Sequence, residues 1–425
     1  MIPQDTLTTF TSWEDRQYSL QATLQHSRLH GAADVLDLYS CHSQPHVLEV
    51  MEQCSLLLPA FLPWLRRELP GTGEQWLRDH LLLSAKLHDI GMCGSEGQRR
   101  LLNATDEAHT LLSAHAAPDA QLLDPLLSVL QQEAPLAHLP PESWQSLPAL
   151  AQSGQLPPLL SALTRLHEAV KSAIRRQHAH RSGVVILRHA EEIRAHYGAQ
   201  IDVAAVAALA ALHSSSSLQD ACIVPDGAMG EQIRAHVYAL VADGLSEAEA
   251  ARITAPLPFL RICLLAAILR LSDTRRSGSR LMSMDQSHLR CEVTPEGNVT
   301  LSRLHGGIRE PIPQRIAFDI LAGEALTEFG PVTVHPTSDG GWHIRHEMTL
   351  RHAEVPAICD VFARSRLRSY AEEIDTGALL YARGFTHEIF LHLEGLRPIA
   401  AARTARRWRS DVPWLKDSPL QITVL

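Results

Sequence analysis

The chain has 425 residues, 45% of them hydrophobic and 20% charged, with a formal net charge of −9 when histidine is neutral. That composition is globular, with length enough for two or three domains, and the acidic balance argues against broad, non-specific nucleic-acid binding. The longest wholly apolar run near the middle, Ile262 to Leu269, is far short of the roughly 20 residues of a membrane span, so no membrane partner is expected.

Seven cysteines lie scattered without a Cys-x-x-Cys pair, and the first residues lack a basic flank followed by an apolar core. A reduced, cytoplasmic protein is the expectation. Arginine carries almost all the positive charge, since lysine occurs only at Lys86, Lys171 and Lys416. Arginine suits bidentate phosphate contacts.

Residues 1 to about 40 read as polar and helical, a lid or an interaction arm. A helix follows from Gln44-Pro45-His46, with proline in the first turn and Val47, Val50, Met51 and Cys54 as its apolar face. His46 sits in that first turn, with His42 four residues earlier as its competitor. Next comes Leu81-Leu82-Leu83-Ser84-Ala85-Lys86-Leu87-His88-Asp89-Ile90-Gly91. Leu77, Leu81 and Ala85 share one face that leads to His88 and Asp89. Thr72 and Gln75 have capping-box spacing, and Gly91 suits the left-handed position past a helix end.

Residues 93 to about 170 are punctuated by prolines from Pro118 to Pro158. They read as short helices and loops, an insertion that could cap a site. From Leu160 to His196 a long helical pattern resumes. His178, Ser182, Val185 and His189 share one face there, while His180 points elsewhere. An apolar helix over Val203–Leu212 delivers His213 at its end, before four serines. A further helix over Leu260–Leu271 continues into Ser272-Asp273-Thr274-Arg275-Arg276, with Leu265, Leu269 and Asp273 on one stripe.

After about Asp285 the pattern changes to α+β. A hairpin is expected around Pro295-Glu296-Gly297-Asn298, strands over Trp342–Leu350 and His387–Leu393, and helices over Ile316–Phe329 and Val355–Glu373. An arginine-rich stretch follows at Arg403, Arg406, Arg407 and Arg409. The expected fold is a mainly α helical bundle over residues 1–285, with the insertion at about 93–170, and a C-terminal α+β domain over 286–425.

Apolar helices thus end in, or begin with, His46, His88-Asp89, His178, His213 and Asp273. Imidazole and carboxylate together make a donor set for Mn, Fe, Ni, Co or Zn. Convergence of apolar stripes on polar ends is informative, because an unpaired polar group in a core is costly.

The order of these residues resembles the HD superfamily of metal-dependent phosphohydrolases. The matching pieces are His46, then Leu87-His88-Asp89-Ile90-Gly91, then Asp273 in Leu269-Arg270-Leu271-Ser272-Asp273, over roughly residues 35 to 285. His178 followed by Ser182, and His213, resemble the extra histidines of members with a binuclear centre. Arg176-Gln177-His178-Ala179-His180-Arg181-Ser182 resembles a bacterial subgroup with an Arg-x-His…Arg-Ser helix.

The resemblance implies an HD domain in which His46, His88, Asp89 and Asp273 hold a first metal. Asp89 would bridge to a second held by His178 and His213. One or two Mn or Fe ions are implied, with Ni, Co, Mg and Zn also open. The implied chemistry is phosphohydrolysis of nucleotides by metal-activated water, with Asp89, His178 and Arg181 catalytic and His180, Arg181 and Arg276 on substrate. Mononucleotides, cyclic nucleotides and short oligonucleotides stay open, and with them phosphatase against phosphodiesterase action. An HD-type diiron oxygenase, a nuclease on single strands and a non-catalytic nucleotide sensor are the alternatives. Homodimers occur within the superfamily, so self-association is open. Where many members carry a second carboxylate three residues after the distal aspartate, this chain has Arg276.

Overall fold

A computed structural model of the chain describes residues 2–25, 44–114, 123–134, 139–153, 155–213, 259–275, 289–293, 299–305, 308–311, 326–364, 366–380, 385–413, 415 and 421–424. The described residues are mainly helical, with two small sheets confined to the C-terminal part. Helices α1 (Gln4–Thr8) and α2 (Ser12–Gln25) lead into α3 (Gln44–Glu68) and α4 (Glu74–Leu87), which ends in a 3-10 turn over Ile90–Cys93. Helices α5 (Glu96–Ser113), α6 (Asp124–Glu133) and α7 (Leu147–Gln152) form the insertion. Helices α8 (Leu156–Arg188), α9 (Ala190–Tyr197), α10 (Val203–Leu212) and α11 (Phe259–Thr274) complete the helical part.

The apolar stripes behave as their spacing requires. Val47, Val50, Met51 and Cys54 are all buried, as are Leu77, Leu81 and Ala85. Each such leucine contributes roughly 1.5–3 kcal/mol of burial. Helix α4 is covered on every side from Leu81 to Leu87, so its single face becomes a fully enclosed rod. The expected helix from Leu160 to His196 is broken at His189 into α8 and α9.

The insertion is more regular than its prolines suggest. Helix α5 is 18 residues long and opens with a capping box between Ser95 and Gln98. Its residues build their own core, with Leu101, Leu126, Leu130, Leu163 and Leu166 buried together. Helix α8 begins in that core at Leu159 and ends in the main core at Ile186. One long rod therefore fixes the insertion to the bundle.

The N-terminal helices are docked rather than lid-like. Lys86 and Glu14, both fully buried, lie 3.2 Å apart. The ammonium also donates to Tyr197 Oη at 2.6 Å and to the Thr9 carbonyl at 2.5 Å, while Tyr18 Oη donates to the Lys86 carbonyl. Burial lowers the pKa of Lys86, and Glu14 counteracts that. The buried charge survives because its partner and hydrogen bonds are supplied by α2, α9 and the Thr9 carbonyl just after α1.

In the C-terminal part, β1 (Leu289–Val293), β2 (Val299–His305) and β3 (Ile308–Pro311) form an antiparallel sheet. A second sheet has the order β4-β5-β6-β7, built from β4 (Thr327–Pro336), β5 (Trp342–Leu350), β6 (Phe385–Leu393) and β7 (Gln421–Val424). Strands β4 and β5 are antiparallel, whereas β5–β6 and β6–β7 are parallel. Parallel pairs need crossovers, here α12 (Pro356–Arg364) with α13 (Arg366–Leu380), then α14 (Pro398–Asp411).

Two expectations are corrected here. Thr327 to Phe329 lie in strand β4, not in a helix continuing from Ile316, and Val355–Glu373 is two helices. Residues 316–325 and the turn at 295–298 lie outside the described residues. The buried face of the second sheet is continuous with the helical core, so Met348, Tyr370 and Leu391 share one apolar interior with Leu83 and Ile268. Among the described residues no helix is long and apolar enough to cross a membrane.

Candidate metal centre

The site starts at the end of α4. His88 closes that helix and Asp89 leads the 3-10 turn that follows. Both are essentially enclosed, at 0% and 1% exposure. The cap expected from Thr72 and Gln75 is absent: Gly73 holds the N-cap position without a side-chain bond.

Gly91 does not take a left-handed conformation; Gly94 does, with φ 68°. Gly91 is required for another reason. A Cβ there would run into the His178 carbonyl oxygen and the Ser182 amide nitrogen, and would lie 2.8 Å from Ser182 Oγ. The missing side chain lets the turn press against α8, where the Gly91 amide donates to Ser182 Oγ at 2.8 Å. That close approach brings His178 to Asp89.

A second close approach brings in His213. A Cβ on Gly183 would lie 3.0 Å from the Ala207 carbonyl and 3.4 Å from Ala211 Cβ. Glycine against alanines therefore lets α8 and α10 cross closely. Helix α10 is capped by Asp202, whose side chain accepts from the Ala205 amide, and it ends at His213. His46 enters from the first turn of α3 and Asp273 from the last turn of α11.

The two oxygens of Asp89 divide the site. Oδ2 lies 3.2 Å from His46 Nε2 and 3.1 Å from His88 Nε2. Oδ1 lies 3.4 Å from both His178 Nε2 and His213 Nε2. Asp273 Oδ1 closes the first half, 3.4 Å from His46 Nε2 and 3.8 Å from His88 Nε2. Two donor atoms each about 2.0–2.2 Å from one ion stand about 3 Å apart when at right angles, so the separations fit a shared cation. Donor atoms of His46, His88 and Asp273 lie within 4.8 Å of one another, and so do those of His88, Asp89 and His213. His88 belongs to both groups, which places it nearer the middle than the sequence assignment does.

The ring tautomers are set by backbone. His88 Nδ1 lies 2.7 Å from the Ala85 carbonyl, His213 Nδ1 2.5 Å from that of Ala210, and His178 Nδ1 meets that of Arg175. A carbonyl can only accept, so each Nδ1 carries the hydrogen and Nε2 is the atom left to take either a proton or a cation. Those Nε2 atoms all turn toward Asp89, and those of His178 and His213 stand 3.0 Å apart.

Electrostatics separate the two halves. Burial pushes the imidazole of His88 down, but Asp89 and then Asp273 outweigh it and carry it up to about 9. Burial and the neighbouring His213 push His178 down to about 4, against the pull of Asp89. The half nearest both carboxylates thus attracts positive charge, whereas His178 stays neutral and ready to ligate.

All six sequence-assigned ligands, His46, His88, Asp89, His178, His213 and Asp273, converge on this point. His42 and Arg276 lie outside the described residues. His180 is half-buried on a different face of α8 from His178. Arg181 is buried, and its Nη2 donates to Gln177 Oε1 at 2.9 Å, while Gln98 Nε2 donates to that same oxygen at 3.1 Å. Arg275, two residues after Asp273, is turned away into the C-terminal part, where it bonds Tyr370. Sequence reasoning missed Gly183 with Ala207 and Ala211; the small-residue pairing was the only available signal. The chain matches no known family, curated protein or solved structure.

Proposed function

We propose that the chain is a divalent-metal-dependent phosphohydrolase of the HD type, acting on nucleotides. The observation that carries the reading is the convergence of three Nδ1-protonated histidines, His88, His178 and His213, with their Nε2 lone pairs around the buried carboxylate of Asp89. Lone pairs crowded in a low-dielectric interior repel one another unless a cation sits among them.

His46, His88, Asp89 and Asp273 would hold one Mn or Fe ion, and Asp89, His178 and His213 a second. Paired divalent ions supply an activated water and a clamp on a phosphoryl oxygen. This chain's own residues do the rest. Asp89 fixes both halves through its two oxygens, and the backbone carbonyls behind His88, His178 and His213 hold each ring in the ligating tautomer. Asp273, the most open ligand at 23% side-chain exposure, marks the side where solvent meets the site. Arg181, three residues after His178 on α8, would orient the phosphate.

The test is metal content together with an Mn-supplemented phosphate-release screen over nucleoside triphosphates, cyclic nucleotides and short oligonucleotides, on the wild type and Asp89→Ala. Turnover that vanishes in the variant supports the reading and identifies the ester. Two irons per chain with oxygen consumption and no phosphate release would replace it with the HD-type oxygenase. Absence of both metal and turnover would refute it.

A further inference from the structure

We propose that the C-terminal α+β part is the positioning element for Asp273, clamping the last turn of α11 so that this carboxylate meets the other ligands; the inference rests on the metal-centre reading above. Asp273 stands where a helix ordinarily frays, because the last four carbonyls of a helix lack partners within it. Here one of them, the Thr274 carbonyl, is taken from outside. Arg366 Nη2 donates to the Thr274 carbonyl at 2.6 Å. Arg275, 3% exposed, donates from Nη1 to Tyr370 Oη at 2.8 Å and from Nη2 to the Gly330 carbonyl. Its Nε reaches Gln53 Oε1 at 3.5 Å, tying the same turn back to α3, the helix that carries His46.

The clamp has depth. The guanidiniums of Arg275 and Arg366 lie 5.2 and 5.3 Å from the centroid of the Phe329 ring. Tyr370 Oη also meets Nδ1 of buried His346 at 2.8 Å, which anchors it to the inner face of β5. Three residues before Asp273, buried Arg270 pairs with Glu373 on α13. Contacts thus flank Asp273 on both sides, from Arg270 to Arg275, and apart from Gln53 the partners named here belong to residues 329–373.

A metal ligand must be held to within about 0.5 Å of its working place. Asp273 cannot move that far without breaking bonds to Tyr370, Arg366 or Glu373. Three arginines near the site, Arg270, Arg275 and Arg366, are thereby committed to positioning and are not substrate contacts. The C-terminal part, whose described residues add no ligand to this centre, becomes a condition for the first ion.

The test uses the full chain stripped of metal and titrated with Mn by calorimetry. Variants are Tyr370→Phe, which keeps the ring and removes both hydrogen bonds, and Arg275→Met. His46→Ala and His178→Ala identify which ion is which. Phe362→Leu, in the same core and packed against Trp408, controls for plain destabilisation, and melting of each metal-free variant is recorded. The expected result is at least tenfold weaker binding of the His46-side ion in Tyr370→Phe and Arg275→Met, with the His178-side ion within threefold of wild type. Phe362→Leu is expected to melt earlier yet bind both ions normally. Unchanged binding, equal weakening of both ions, or the same loss in Phe362→Leu would overturn the clamp. A wild type that binds no Mn would overturn the metal-centre reading and the clamp with it. A wild type that binds two ions but releases no phosphate would sink the phosphohydrolase alone.

Discussion

His178 and His213, from two different helices, present their Nε2 atoms to each other at 3.0 Å, each with its Nδ1 hydrogen already given to a backbone carbonyl. Neither nitrogen can donate to the other while both rings are neutral in that tautomer. A shared ion would resolve the conflict. Replacing either histidine by alanine is therefore expected to reduce bound Mn from two ions to one per chain, read by elemental analysis after dialysis. Phosphate release should fall by more than the roughly 10–100-fold typical of lost outer-shell partners. Retention of two ions in both variants would exclude these residues as ligands.

Gly91 tests how the site is assembled. Adding one methyl there forces the turn after Asp89 away from α8, because the obstructing atoms are backbone at His178 and Ser182. Gly91→Ala is expected to cost about 1–3 kcal/mol or more in urea unfolding, the usual range for overpacking, and to weaken the ion at His178. Gly71→Ala is the comparison, since nothing stands within 4 Å of a Cβ there, although its φ of 83° carries its own strain. A Gly91→Ala protein with unchanged stability and metal content would show that the contact is not required.

Lys86 and Glu14 form the other buried charge system. Lys86→Met strands the Glu14 carboxylate, and removing one partner of a buried pair costs about 3–5 kcal/mol. Pairing it with Glu14→Leu removes both charges and should recover a large part of that loss. Denaturant midpoints of the two single variants and the double variant measure the coupling. Strict additivity would mean that the pair does not hold the N-terminal helices to α4.

His346 and His387 lie on the buried inner face of the second sheet. Burial pushes His387 down to about 4, with His343 adding to it, and burial with Arg275 pushes His346 down as well. The unfolded chain takes up these protons near pH 6.5 and the folded chain does not. Stability is thus fully present above about pH 6.5 and is lost as pH falls toward 4, by about 3 kcal/mol at most for His387. Unfolding free energies measured from pH 7 to pH 4.5 should show a shallower slope in His387→Leu. An identical slope would mean that His387 does not contribute.

What the sequence determined by itself was the local part of the site. Apolar stripes leading to His88-Asp89, His213 and Asp273 at helix ends, and to His46 in a first turn, could be read because helical spacing fixes which residues share a face. His178, by contrast, stands in the middle of α8 and not at a helix end. A parallel argument located β5 and β6, where alternation puts every second residue inside. Tertiary structure decided what depends on contacts between distant segments. Gly91 looked like a helix terminator, yet its function is to admit α8, and that is visible only when His178 and Ser182 are opposite it. Arg275 carried the same charge signature as a phosphate contact, but Tyr370, some hundred residues later, claims its guanidinium. Thr327–Phe329 joined a strand because β5 offered a ladder that local propensity could not foresee. Periodicity reports which way a side chain leaves its own element; only packing determines what waits there.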